Sequence, residues 1–385
     1  MNRGKRTLVL LIIGLYLPIV LAYADTPDFR VPPIDNNGQR WRIAYYQGGA
    51  YVGYYDRLLA TVSALMEMGW IEKADLPPEG QDDARNLWLR LSTTIESEYL
   101  EFVENGYYSA DWDLQGREEL RNSIINRLNH TDDIDLVVAM GTWAGKDLAN
   151  DEHKIPTVVV SSSDPIGAGI IPNVEDSGYD HLHVHNDPYR YERQVRLFYE
   201  LIGFGTLGVA YEDTVVGRSY AAINAVNKVA AESGFKVEHC HTQSDIANQS
   251  IADQSVIECF KQLVKKVDAI YVTAQGGVNS KTIPMLVKIA NSARVPTFSQ
   301  YGDEEVRQGY LLSLSPSGHQ SLGEFHAQTI AKILSGISPG DIAQVYEGTK
   351  NIVINLETAE IIGLYLYADM LAAADKIYRK IEVPE

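Results

Sequence analysis

Positive charge is scarce in this sequence: 33 lysines and arginines stand against 51 aspartates and glutamates, a formal net charge of −18. So acidic a surface argues against nucleic acid or anionic lipid as a partner. The apolar run near the start, residues 8–21, is short for a membrane span, which leaves an uncleaved anchor as the alternative to a cleaved leader, and no cysteine follows it as a lipoprotein would require. No Gly-x-Ser-x-Gly elbow, His-Glu-x-x-His helix or nucleotide-binding glycine loop occurs. Ser161 to Ser163, Asp164 and His319 therefore have no recognisable hydrolase context, and the sequence predicts neither an enzyme nor a cofactor.

What the chain does carry begins with a leader. Arg3, Lys5 and Arg6 precede the apolar run, and Ala22-Tyr23-Ala24 forms a small-x-small cleavage site, so the sequence predicts a secretory signal peptide over residues 1–24, cut after Ala24. In an exported chain the two cysteines, Cys240 and Cys259, are either oxidised to a disulfide or two small buried hydrophobes. Their Cα separation decides between these. A charged fraction of 22% and a hydrophobic fraction of 45% over 385 residues describe a globular protein with room for two domains.

The chain is organised around residues 133–145 and 155–167. They read as a buried strand, a Gly-Thr turn, a short helix, a second buried strand and a Ser-Ser-Ser-Asp-Pro loop. In open α/β sheets such strand ends face the ligand crevice. Ahead of them, residues 42–46 and 58–68 form a first strand and helix, joined by a glycine-punctuated, tyrosine-rich loop that runs from Gln47 through Tyr51 to Tyr55. Trp88, Leu91, Ile95 and Phe102 fall at helical intervals and predict an extra surface helix, and residues 118–128 the helix before the organising stretch. Strands over 207–211, 236–239, 269–273 and 297–299 then alternate with helices over 220–232, 251–264 and 280–292, which specifies a parallel sheet. A further strand-like piece over 309–315, a helix over 322–334, a strand over 352–355 and a final helix over 359–381 close the chain. His181, His183 and His185 alternate along one strand face, a geometry open to zinc, nickel or copper. No cysteine or carboxylate stands at ligand spacing beside them, and we assign no metal.

Six segments carry a resemblance. They are Asp-Leu-Val-Val-Ala-Met-Gly-Thr (135–142), Ile-Pro-Thr-Val-Val-Val-Ser-Ser-Ser-Asp-Pro-Ile-Gly-Ala-Gly (155–169), Val-Asp-Ala-Ile-Tyr-Val (267–272), Val-Pro-Thr-Phe-Ser (295–299), Ala-Lys-Ile-Leu-Ser-Gly (331–336) and Asn-Ile-Val-Ile-Asn-Leu-Glu-Thr-Ala (351–359). In this order and spacing they resemble the periplasmic substrate-binding proteins of ABC transporters of the tryptophan/tyrosine type, from about Arg40 to the C-terminus. Where that family often carries a Glu-His-Pro element, this chain has Ala50-Tyr51-Val52.

The resemblance implies a type I periplasmic-binding fold: two doubly wound parallel-sheet α/β lobes joined by three crossover strands. Lobe one would be residues 40–185 plus 307–354, lobe two 187–299 plus 356–381, with crossings near 186, 300–302 and 355. Hinge closure would bring both lobes onto one small solute. Candidate ligand contacts are Thr142, Ser162, Ser163 and Asp164 from lobe one, with Tyr211, Gln275 and Asp303 from lobe two and the hinge. Hydroxyls suit a carboxylate and Asp164 or Asp303 an ammonium. Trp143, Tyr51 and Tyr301 would supply an aromatic wall, with Gln47 opening the tyrosine-rich loop beside them. The implied protein is a periplasmic monomer that delivers an amino acid-like, aromatic or apolar ligand to an inner-membrane ABC permease. The alternative is a sensor of the same fold, docking on a membrane kinase or chemoreceptor.

Overall fold

The computed structural model describes residues 31–78, 83–316, 319–346, 348 and 350–382; the leader predicted at residues 1–24 lies outside them. No helix among the described residues is long and apolar enough to cross a membrane. The strands β1 Trp41–Gln47, β2 Leu100–Ser109, β3 Leu136–Met140, β4 Thr157–Val160 and β5 Leu182–Val184 form one sheet, in the order β2-β1-β3-β4-β5. All its pairings are parallel. The strands β6 Thr206–Tyr211, β7 Lys236–His241, β8 Ala269–Val272, β9 Thr297–Ser299, β10 Leu312–Pro316, β11 Lys350–Asn355 and β12 Lys376–Tyr378 form a second, in the order β12-β11-β10-β9-β8-β6-β7. Only β10 and β11 run antiparallel there.

Helices cover both faces of each sheet, which is why β3, β4 and β8 read as unbroken apolar runs rather than alternating ones. Along β1, Ile43 and Tyr45 enter the core beneath the helices Val52–Glu67, Ala84–Thr93 and Gln320–Leu334. Ala44 and Tyr46 enter the opposite core beneath Arg117–His130 and Gly141–Leu148. This alternation follows from the two-residue period of a strand. The second sheet is likewise sandwiched between two buried clusters.

Several sequence expectations are corrected here. The predicted lobe boundaries fail because β10 pairs with β9, and β11 with β10, so both strands belong to the second lobe. The first crossing runs through Asn186, which bridges to Val345 on the returning chain. The other two are not at 300–302 and 355: β10 and β11 lie in the second sheet while the helix Gln320–Leu334 between them packs on the first. Gln300 to Gly302 stays within lobe two, and Asn355 caps the helix Leu356–Ile362 by accepting from the Thr358 amide at 3.0 Å.

The strand β2 escaped the helical spacing read through Phe102, because an edge strand with exposed Glu104 and Asn105 has no continuous apolar signal. Nor is Trp88 on a surface helix: it is 1 % exposed and donates its indole N–H to Val103. The helix predicted over 359–381 stops at Gly363, whose φ of +73° ends Leu356–Ile362; a short helix Ala368–Ala373 and β12 follow. That over 220–232 is two helices, Val215–Tyr220 and Ile223–Ser233, broken at Ala222 with φ of 51°. Cys240 on β7 and Cys259 on the helix Gln249–Leu263 form a disulfide, with Cα atoms 5.6 Å apart.

Candidate ligand site

The carboxyl-terminal ends of the central strands open into one cleft between the lobes, with about 800 Å³ of empty space including its mouth. From lobe one come the start of the helix Val52–Glu67, the turn after β3 and the turn after β4. Each is shaped by backbone. Gly141 sits at φ of +87°, and a Cβ there would lie 2.0 Å from the Tyr54 hydroxyl, so only glycine lets that ring lie across the turn. Ser161 adopts φ of 67°, a costly conformation for a side-chain-bearing residue, at the point where Ser162 and Ser163 turn toward the cleft.

Aromatic rings form the walls. Tyr51 meets Tyr54 and Tyr301 edge-on at 5.2 and 6.3 Å, and Trp112 meets Trp143 edge-on at 5.3 Å. Behind Trp143, the Arg117 guanidinium lies 4.3 Å over the ring while pairing with Asp147 at 2.8 Å, which holds the indole in place. Tyr191 and Tyr220 close the side of lobe two. Such a lining suits a flat apolar group of a small solute.

The polar groups are few. The Ser162 hydroxyl is buried without a hydrogen-bond partner, and Thr142 and Ser163 stand beside it. Asp245, in the loop after β7, presents the carboxyl of lobe two. Burial first, then the negative charge of Glu212, pushes its pKa up to about 7. His185 is held neutral by burial and by the nearby Arg57 and Arg190. The same burial raises the hydroxyl pKa of Tyr54, which feels both Asp245 and Arg57.

Of the residues singled out in the sequence, Tyr51, Thr142, Trp143, Ser162, Ser163, Gln275 and Tyr301 line this cleft. Gln275 is already engaged, donating to Ala210 and Thr273 and accepting from Thr242, so it braces the wall. Four lie elsewhere. Asp164 is a turn former, accepting from the Gly167 amide at 2.8 Å. Asp303 heads a helix facing β12 and pairs with Lys376 at 2.7 Å. Tyr211 packs on His239 and His241 at the sheet edge. Gln47 is 2 % exposed beneath the loop, accepting from the Tyr45 hydroxyl.

Sequence reasoning missed Arg57, Trp112, His185, Arg190, Tyr191, Tyr220 and Asp245, and took in Tyr54 only as part of the tyrosine-rich loop. Asp245 follows β7 as Thr142 follows β3, so the strand-end rule extended to β7 would have found it. His185 and Arg190 flank Asn186 at the first crossing, a position the histidine row obscured. Within that row His183 bonds to the Ala343 carbonyl, His181 packs on His153 and His185 on His326. Among the described residues, no group of three or more His, Cys, Asp or Glu side chains is placed to hold a metal ion.

Residues 104–378 match the family described as ABC transporter substrate binding protein. A tyrosine-binding protein from Clostridioides difficile (strain R20291) is 23% identical over 235 residues, which cover 61% of this chain and 64% of that relative, less than two thirds of its length. A conserved domain protein from Vibrio cholerae shares the fold with a TM-score of 0.67 and 20% identity, over 88% of this chain and 100% of that one. An ABC domain from Streptococcus pneumonia, solved in complex with L-Trp, has a TM-score of 0.65, the same identity and the same coverage.

Proposed function

Because this chain belongs to the ABC transporter substrate binding proteins, which bind solutes rather than transform them, we propose that it captures an aromatic amino acid-like ligand between its lobes. The observation that carries this reading is a cleft walled by tyrosine and tryptophan that also holds an unpartnered hydroxyl, Ser162, and the Asp245 carboxyl. The rings of Tyr51, Tyr54, Trp112 and Trp143 stack on the ligand's flat side chain. Thr142, Ser162 and Ser163 hydrogen-bond its polar head, and Asp245 faces its ammonium. The tyrosine-binding relative and the L-Trp complex agree with this class of ligand.

Closure about the three crossings encloses the ligand, and the closed form then docks on an ABC permease in the inner membrane. In this reading the protein is exported to the periplasm, loses residues 1–24 and works as a monomer. The Cys240–Cys259 disulfide suits an oxidising compartment. Calorimetry with L-tyrosine, L-tryptophan and L-phenylalanine tests the ligand. Saturable one-to-one binding is expected for at least one of them. Absence of binding by all three at millimolar concentration rejects the ligand assignment and leaves the family standing.

A further inference from the structure

Two guanidinium groups in the cleft have no carboxylate at ion-pair distance among the described residues. Arg57, on lobe one, donates to the Gly53 carbonyl at 2.8 Å and lies 5.9 Å over the Tyr301 ring. Arg190, on lobe two, donates to the Gln300 carbonyl at 3.2 Å and lies 5.4 Å over the Tyr191 ring; its Nε is buried with no partner. Between the lobes, at the first crossing, His185 is 8 % exposed and neither of its ring nitrogens has a partner. All three side chains line the same cavity.

In a chain this acidic, unpaired arginines are not explained by a shortage of carboxylates. Carboxylates around them are engaged elsewhere: Asp56 accepts from the Tyr301 hydroxyl at 2.9 Å, and Asp187 pairs with Arg193 and Lys350. Arg190 moreover opens the helix Arg190–Ile202, where the helix dipole disfavours a cation and favours an anion. A partly buried, unpaired cation costs stability unless something of opposite charge completes it. Two such cations, one per lobe, with an orphaned imidazole at the hinge between them, make a receptacle for an anion that touches both halves of the protein at once.

We propose that Arg57, Arg190 and His185 form an anion subsite at the hinge that seats the ligand's carboxylate and couples its capture to lobe closure. This rests on the reading of an amino acid-like ligand and names the group that matters most within it. The carboxylate bridges the lobes, taking one guanidinium from each. Asp245 then serves the ammonium as a second, weaker determinant. The ligand class is an aromatic carboxylic acid, preferably bearing an α-amine.

The test is calorimetry on the full mature chain with three probes: L-tyrosine, tyramine, which lacks the carboxylate, and 3-(4-hydroxyphenyl)propionate, which lacks the amine. The corresponding tryptophan, tryptamine and indolepropionate set is run in parallel. The amino acid should bind about a hundredfold more tightly than the amine, and the amine-free acid within about tenfold of the amino acid. In Arg57→Gln and Arg190→Gln the preference for the amino acid over the amine should collapse to less than about tenfold, while Arg190→Lys restores part of it. A structural role alone would lower the melting temperature without changing that ratio. The subsite is overturned if the amine matches the amino acid in the unaltered protein, or if the ratio survives both arginine substitutions. Arginine-dependent binding of the amine-free acids with none by the amino acids overturns the amino acid reading and keeps the subsite. Binding by none of the six probes overturns both.

Discussion

The backbone N–H of Asp245 donates to the Glu212 carboxylate at 2.9 Å, and the neighbouring Ser244 amide donates to the same oxygen at 3.2 Å. A negative charge is thus fixed behind the very carboxyl that Asp245 turns into the cleft. That charge, together with burial, opposes ionisation of Asp245. In the proposed reading, the ligand's ammonium relieves this conflict.

Ligand affinity should therefore depend on pH. An unfolded chain loses the Asp245 proton near pH 4, whereas the folded protein keeps it until about pH 7. Between those values the folded state binds the extra proton, so this group's contribution to stability falls as pH rises. For an ammonium-bearing ligand the direction reverses, because the charged carboxylate is the binding form. Affinity for L-tyrosine should drop as pH falls below 7 and level off about tenfold weaker, the most that loss of the ammonium contact costs. Calorimetric titrations across this range check it, and Asp245→Asn should bind weakly at every pH without lowering the melting temperature of the empty protein. A flat profile in the unaltered protein removes Asp245 from the ammonium contact.

Acid should destabilise the first lobe through its buried histidines. Burial lowers the pKa of His183 to about 4. The unfolded chain takes up this proton below about pH 6.5, so the folded state loses stability as pH falls from there toward 4. The full effect is about 3 kcal/mol. Thermal unfolding at pH 7.5 and 5 measures it, the drop between the two being smaller in His183→Gln. An identical drop in the variant would show that His183 does not contribute.

The disulfide ties β7, the edge of the second sheet, to the helix packed beneath it. Closing a loop of this length is worth about 3 kcal/mol, chiefly by restricting the unfolded chain. Melting in the presence and absence of reductant should show a lower midpoint when the bond is reduced, and Cys240→Ser/Cys259→Ser should match the reduced protein. Coincident curves would mean the bond adds nothing to stability.

Much of the fold was legible because its signals are local. The runs at β3, β4 and β8 are apolar enough to require cover on both faces, and strands alternating with long helices leave little choice but parallel sheets. The strands β2 and β12 were not legible, because Glu104 and Asn105 interrupt β2 with exposed polar residues and β12 is three mostly exposed residues long. The lobe boundary was misplaced for a related reason: whether β10 continues one sheet or begins another is settled by its neighbour β9 and not by its own residues.

At the site the division follows the same physics. The sequence alone determined that small hydroxyl residues stand at strand ends, that no catalytic set accompanies them, and that tyrosine crowds the first loop. The tertiary structure decided which charges meet there. Asp303 and Asp164 carry the right chemistry but are turned to Lys376 and to a local turn. Asp245, Arg57 and Arg190, from three distant segments, converge on the cleft instead. A cleft between two lobes is closed by residues far apart in the chain, and no local pattern records which of them will face each other across it.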